Sequence, residues 1–450
     1  MAGLVPAMTV LDLRKSMAEA VSPALTSADA AGLASIRRRA ILSCAIGNFF
    51  ELFDFTIYGY FAVAIARAFY PTGSMFSTFA TFGAAFLMRP VGAIVLGAYG
   101  DRMGRRAALV VTIGLMAAAT GFTGLIPTYQ SIGIWAPIAL VICRLLQGFS
   151  TGGEWGGAAA FLVEYSPPGR RGFIGSMQQF STQIGSVSGS LSAALLASNL
   201  SEADFYAWGW RIPFVVGFLL GPIGYYLRRK VAETPAFEQA VERRTVERSP
   251  FLTAIREYRT RMLQAFGLSI IGCMANFTFV IYLVSYAINT MKLPPGSALS
   301  CAVCSGLIIV TLTPLVGHLS DRIGRRPMIL ACALLNLVFD YPLFLLAVDG
   351  GTFLSLLTAL AIAATFQSLY TGVIPSILAE MFPTRVRYTG LSVSYGFAVV
   401  LFGGFAPLVS TWLVSVTGNP LAPAFYIMGG GAASALAILS MHEHLNAPLD

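Results

Sequence analysis

The chain has 450 residues, of which 56% are hydrophobic and only 11% charged, with a mean hydropathy of +0.72. Ordinary globular proteins are roughly 45–50% apolar and about 25% charged, so composition excludes a soluble enzyme or binding domain of this length. The formal charge of +8 would suit nucleic acid, but the 29 Lys and Arg sort by loop instead of forming a patch, which excludes that partner.

In chain order, residues 1–38 lack a continuous apolar stretch and read as a tail, with Arg37–Arg39 leading straight into an uncleaved first helix. About twelve apolar runs follow, each near the length that crosses a bilayer as a helix. They lie near 40–67, 76–99, 107–127, 134–163, 172–198, 207–227, 262–288, 296–319, 327–348, 353–381, 388–416 and 421–441. The expected fold is therefore all-α and polytopic, with an N-terminal bundle over 39–227 and a C-terminal bundle over 261–441. Residues 228–260 read as an amphipathic linker at the lipid headgroups, and 442–450 as a short tail. Basic residues precede the first span and follow each even-numbered span up to the tenth, whereas the opposite loops hold only Arg67, Arg211 and Lys292. This positive-inside pattern predicts cytoplasmic termini and a cytoplasmic linker, in a bacterial-type inner membrane, with a single chain as the working unit.

One basic turn occurs twice. Asp101, Arg102, Gly104, Arg105 and Arg106 recur 220 residues later as Asp321, Arg322, Gly324, Arg325 and Arg326. A second echo aligns Glu164 with Glu380, at the ends of the fourth and tenth spans, each followed by basic residues, Arg170 and Arg385 among them. Two matched halves in a membrane are the plan of a secondary transporter. An Arg-rich loop alone would anchor topology. Matched Asp, Arg and Glu at both places point further, to a charged latch that closes one face in one state and breaks in the other.

Charge inside the spans is costly and tends to be functional. Glu51 and Asp54 lie three apart in the first span, on one face that Tyr58 continues. Arg89 is in the second span, and Arg144 and Glu154 are in the fourth. Glu51 lies about 12 residues in from Arg39, Arg89 about 11 from Gly100 and Glu154 about 10 from Glu164. At about 1.5 Å per residue these three are expected in one layer. Gln147, Gln179 and Gln183 fall at comparable depth. Three carboxylates against two guanidiniums predict one carboxylate without a partner, able to bind and release a proton near neutral pH. Asp54 and Glu154 lead that expectation, with Glu51 close behind; the plainer reading is that all five merely tie helices together. Arg89 and Arg144 suit an anionic substrate group, since guanidinium meets carboxylate as a fork. The C-terminal half offers Asn276, Tyr282, Tyr286, Gln367 and Tyr395 with almost no charge, Asp340 excepted. Asn276, Tyr58 and the three glutamines complete the expected substrate contacts. Gly152, Gly153, Gly156 and Gly157 around Glu154 read as close helix packing.

No phosphate-binding glycine loop and no soluble region of ATPase size exist, so transport must draw on a gradient. The six cysteines form no metal-ligand set, and three histidines offer no nucleophile–base pair, so neither a metal, a cofactor nor an enzymatic activity is expected.

The two basic turns match the signature of the major facilitator superfamily, which the chain resembles from about Arg38 to Met441. Within it, GNFFELFDFTIYG from Gly47, FLMRPVGAIVLGAYGDRMGRR from Phe86, RLLQGFSTGGEWGG from Arg144 and WGWRIPF from Trp208 resemble the metabolite:proton symporter family. The resemblance implies two six-helix bundles and proton-coupled import by alternating access. LFGGFAP from Leu401 is similar to citrate-type members, which implies a di- or tricarboxylate such as citrate or α-ketoglutarate. EYSPPGRRGFIGS and ETPAFEQ resemble osmolyte permeases, which implies betaine or proline instead; an aromatic acid such as shikimate or a phthalate is the third possibility.

Overall fold

The computed structural model describes residues 27–70, 75–167, 169–243 and 245–441. The expected tail 442–450 lies outside the described residues, as does the tail 1–38 up to residue 26. Helices α1 (Ser27–Tyr60), α2 (Met75–Met103), α3 (Arg105–Leu125), α4 (Trp135–Glu164), α5 (Arg171–Asn199) and α6 (Ile212–Lys230) form the first bundle. Helices α7 (Arg259–Ile288), α8 (Pro295–Ile323), α9 (Arg325–Gly350), α10 (Phe353–Glu380), α11 (Arg387–Thr417) and α12 (Ala422–Leu439) form the second. Ten of these are long and apolar enough to cross a bilayer by composition alone. The exceptions, α4 and α5, have 30 and 29 residues, ample length for a span, but their sequences are diluted by glycine, serine, glutamine and the charges of α4. Much of the polar sequence of these two helices is buried against protein, where lipid does not select it, and the described residues hold twelve helices of spanning length.

The halves repeat one packing scheme. In the first, α1 lies on α5 and α6, α2 on α4 and α3 on both α4 and α6; in the second, α7 lies on α11 and α12, α8 on α10 and α9 on both α10 and α12. Across the centre, α5 meets α8 and α2 meets α11. The α2–α4 contact is backbone to backbone. A Cβ on Gly92, Gly148 or Gly152 would run into the carbonyls of Phe149, Ala85 or Arg89, which is the close approach the glycine run predicts. Gly153 faces Leu96 of α2, while Gly156 and Gly157 face Ser392 and Tyr388 of α11.

Both basic turns have the same backbone. Gly104 and Gly324 each sit at φ 103°, a conformation side chains avoid, so one residue reverses α2 into α3 and α8 into α9. α7 and α11 are each interrupted by a π segment, Phe277–Leu283 and Val399–Gly404, and α10 breaks after Thr371, ahead of Pro375. The linker carries two short helices, Pro235–Glu242 and Pro250–Glu257.

Candidate functional site: buried ion pairs and a charged latch

The first bundle is crossed by three buried guanidinium–carboxylate pairs. Nearest the second bundle, Arg89 lies 3.4 Å from Glu51, with its guanidinium 4.8 Å from the ring centroids of both Phe55 and Phe86. Glu51 Oε2 and Arg89 Nε have no hydrogen-bond partner among the described residues. Farther from the basic turns, Arg144 lies 3.0 Å from Asp54, which also accepts hydrogen bonds at 2.8 Å from Thr120 and from Gln147. The Arg144 guanidinium sits 3.8 Å above the ring of Tyr58, so Tyr58 supports this cluster. Toward the basic turns, Glu154 binds Arg228 and Thr112, and Arg228 also reaches the carbonyls of Ser43 and Leu109. Gly47 makes room for this pair, since a Cβ there would collide with both partners.

Arg228 overturns the expectation of an unpaired carboxylate. It reads as the first residue of a surface linker, but it is the buried last turn of α6, so three guanidiniums meet three carboxylates. Glu51 and Arg89 meet as expected; Glu154 does not join them, because Arg228 draws it toward the basic end.

Between the bundles lies a cleft of about 10 Å³, lined by Arg89, Thr151, Trp155, Ser392, Tyr395 and Val399 among others. That is room for about one water. The rings of Trp155 and Tyr395 close it, stacked at 3.6 Å and 11°. Gln179 accepts the Trp155 indole N–H at 3.4 Å, and the neighbouring Gln178, fully buried, donates to the Trp155 carbonyl at 2.7 Å. Of the expected substrate contacts, Arg89 lines the cleft. Arg144, Tyr58 and Gln147 stand behind it around Asp54, while Gln183 and Asn276 are half-buried on α5 and α7.

At the basic end the halves are joined crosswise. Asp101 accepts the backbone N–H groups of Tyr388 and Thr389 at 3.2 and 2.8 Å, capping α11. Asp321 accepts those of Gly172 and Phe173 at 2.7 and 2.9 Å, capping α5. Each carboxylate faces the positive end of a helix from the opposite half. Each is also 2.9 Å from its own turn's arginine, Arg105 or Arg325. Glu164 then bridges Arg105 at 3.3 Å and Arg387 at 2.8 Å, and Glu380 bridges Arg325 at 3.2 Å and Arg171 at 3.8 Å. Arg105 further donates to the Thr384 carbonyl of the other half at 2.5 Å.

Several expected latch residues stand outside this network. Arg102, Arg322 and Arg170 are exposed. Arg385 pairs instead with Glu257 at 2.7 Å, and Arg106 donates to the Arg229 carbonyl at 2.7 Å. Arg102 and Arg322 point to water because only one face of each turn meets the opposite half. Arg171 and Arg387 take the places expected of Arg170 and Arg385. The 216-residue step from Glu164 to Glu380 carries Arg171 onto Arg387, and that step was the legible signal. The linker contributes a part with no repeat to reveal it. Glu233 accepts the N–H groups of Arg105 and Arg106 at 3.0 and 3.1 Å, and Thr234 donates to Glu164. Burial pushes the Glu233 carboxyl above its ordinary range, against the lowering effect of the Thr234 and Arg106 amides and of the Arg105 charge.

Comparison with known proteins places this geometry. A family model described as "Sugar (and other) transporter" matches residues 40–249, and one described as "Major Facilitator Superfamily" matches 300–447. The proline/betaine transporter of Escherichia coli K12 is 37% identical over 427 residues, covering 92% of this chain and 85% of that protein. The citrate-proton symporter of Klebsiella pneumoniae is 37% identical over 430 residues, covering 95% and 96%. A glycine betaine/proline/ectoine/pipecolic acid transporter of Dickeya dadantii is 38% identical over 430 residues, covering 92% and 84%. The crystal structure of a proton:xylose symporter bound to a bromodeoxyglucose superposes with a TM-score of 0.75, at 18% identity, covering 90% of this chain and 95% of that one.

Proposed function

The chain belongs to the metabolite:proton symporter family of the major facilitator superfamily, and on that premise we propose that it couples proton entry to uptake of a small zwitterionic solute of the betaine or proline kind. The observation that carries this choice is the charge balance at the cleft. Arg89 is the charged residue in its lining, and Glu51 already neutralises it. A tricarboxylate would need several free cations, and Arg144 and Arg228 are both committed behind the cleft. A zwitterion needs one guanidinium for its carboxylate and aromatic surface for its cationic end, and Phe55, Phe86, Trp155 and Tyr395 surround the site. Substrates named for three relatives point the same way. The di- or tricarboxylate expected first becomes the second reading, favoured by the near-complete coverage of the citrate-proton symporter.

Coupling follows from competition for Arg89. A substrate carboxylate and Glu51 claim the same guanidinium. A proton on Glu51 releases Arg89 to the substrate, so each ligand favours the other's binding. Glu51 suits this role better than Asp54 or Glu154, because it is held by one long contact whereas those two are fully engaged. The basic end is placed in the cytoplasm by the positive-inside pattern, with both termini on that side. The latch then closes the inner face, and the bundles 39–227 and 261–441 rock about it through the linker 228–260. The working unit is a single chain in the lipid bilayer.

Proteoliposomes given betaine, proline, citrate, α-ketoglutarate, shikimate and phthalate in parallel test the proposal. External alkalinisation on adding betaine or proline is expected; a response to citrate alone would establish the second reading. Glu51→Gln is expected to keep solute exchange and lose accumulation driven by a pH gradient. Retained accumulation would remove Glu51 from the coupling step.

A further inference from the structure

Asp340 of α9 is fully buried, and neither of its carboxyl oxygens has a hydrogen-bond partner among the described residues. The titratable group close enough to feel it is the Cys332 thiol on the same helix. α9 packs against α7, α8, α10 and α12, whose Asp, Glu, Lys and Arg residues lie at the basic end: Arg259 and Arg261 of α7, Asp321 and Arg322 of α8 and Glu380 of α10, with none in α12. On α9 itself Arg325 and Arg326 are 15 and 14 residues away, roughly 21–22 Å along the helix, and Asp349 is 9 residues away on the other side. Among the described residues, no cation answers this carboxyl.

The internal repeat explains where it sits. The 220-residue step that relates the two basic turns carries Thr120 onto Asp340. The 216-residue step that relates Glu164 to Glu380 carries Arg144 onto Leu360 and Gln147 onto Ala363. A third match, Asp-Phe-Thr at 54–56 against Asn-Phe-Thr at 276–278, carries Asp54 onto Asn276. The four residues of the Asp54 cluster thus have four counterparts in the second bundle. There the acid has moved from the first helix of the bundle to the third, and the guanidinium and amide have become buried Leu360 and Ala363. What remains is a carboxyl in the position of a charge cluster from which the guanidinium and the glutamine amide have been removed.

An isolated carboxylate in such surroundings is strongly disfavoured even after relaxation. We infer that Asp340 is a proton-binding site of the second bundle, a carboxylic acid that carries its proton in the conformation closed at the basic end. The inference is independent of which solute is carried and of whether Glu51 couples it.

Infrared spectroscopy of the full-length protein in proteoliposomes at neutral pH tests it without any transport readout. The expected result is a carbonyl band of a buried protonated acid that Asp340→Asn, uncharged and of the same shape, removes. Leu360→Arg supplies the guanidinium that Arg144 gives Asp54, and is expected to abolish the same band although Asp340 is still present. Identical wild-type and Asp340→Asn spectra in this region would overturn the inference whether or not Leu360→Arg folds. Survival of the band in a folded Leu360→Arg protein would overturn it too, because the position would then not be the counterpart of Arg144.

Discussion

Arg228→Met should be far more damaging than Arg228→Met combined with Glu154→Gln. The guanidinium and carboxylate of this pair are nearly inaccessible, with side-chain exposures of 1% and 4%. Removing Arg228 alone strands a carboxylate whose other partner is the Thr112 hydroxyl. Breaking a buried pair in this way costs about 3–5 kcal/mol, between two and four decades in the folding equilibrium. Neutralising Glu154 as well removes the stranded charge. Arg228 also donates to the Thr112 hydroxyl and to the carbonyls of Ser43 and Leu109, and those carbonyls lie within α1 and α3 and keep their helical hydrogen bonds. The double variant should therefore recover most of the loss, to within about 1–2 kcal/mol of wild type. Thermal unfolding of purified protein measures the stability and pH-gradient-driven uptake measures the coupling. Equal instability of the single and double variants would refute the pairing argument. A stable double variant that no longer accumulates solute would make Glu154 a proton carrier after all.

Asp101→Asn and Asp321→Asn each weaken a cap between the halves by about 1–2 kcal/mol, and so shift the closed-to-open ratio at the basic end by about 5–30-fold. Faster thiol labelling of a cysteine placed at Thr384 would show this, and an unchanged rate would remove the latch. Gly104→Ala forces a side chain into φ 103° and against Glu233, costing about 1–2 kcal/mol from the backbone alone; the melting temperature should fall, and no change would mean the turn relaxes freely. Trp155→Ala removes a stack worth about 0.5–1.5 kcal/mol beyond its burial. A cysteine at Ser392 should then react faster from solution, and a protected cysteine would show that other contacts close the cleft.

The sequence is legible where physics repeats. Span length and loop charge follow from the bilayer, so twelve helices and their grouping can be read before any coordinates. The basic turns can be read because Gly104 and Gly324 must adopt the same backbone and because two carboxylates recur with them. Pairing is less legible. Glu51 and Arg89 meet at the depth that counting residues gives, but the same counting puts Glu154 beside them and misses Arg228. A cationic residue at the end of an apolar run usually reaches for the headgroups. Glu154 and the gap left by Gly47 turn this one inward, and a gap between helices has no signature in any one of them. Arg171 and Arg387 pose the opposite case, since the repeat contains them and the correct register separates them from Arg170 and Arg385. Glu233 belongs to a linker present once, so no internal echo could reveal it.

The distribution of satisfied and unsatisfied groups says which parts can move. The Asp54 and Glu154 clusters tie α1, α3, α4 and α6 into one body with each carboxylate engaged by several donors. A change of conformation that tore them would strand charges inside the bilayer, at a cost no small solute could offset. The contacts that cross between halves are of another kind. The Asp caps on α5 and α11, the shared Glu164 and Glu380, and the Trp155–Tyr395 stack each join residues from different bundles, and most lie near an end where water can replace them. Separation there exchanges one set of hydrogen bonds for another. Glu51 and Arg89 stand at the border between these two regimes, loosely paired and facing the cleft. On the proposed function, a proton and a solute carboxylate would act at that one place without unpicking the body behind it, and the rigid clusters would carry the change to the basic end by moving as a unit.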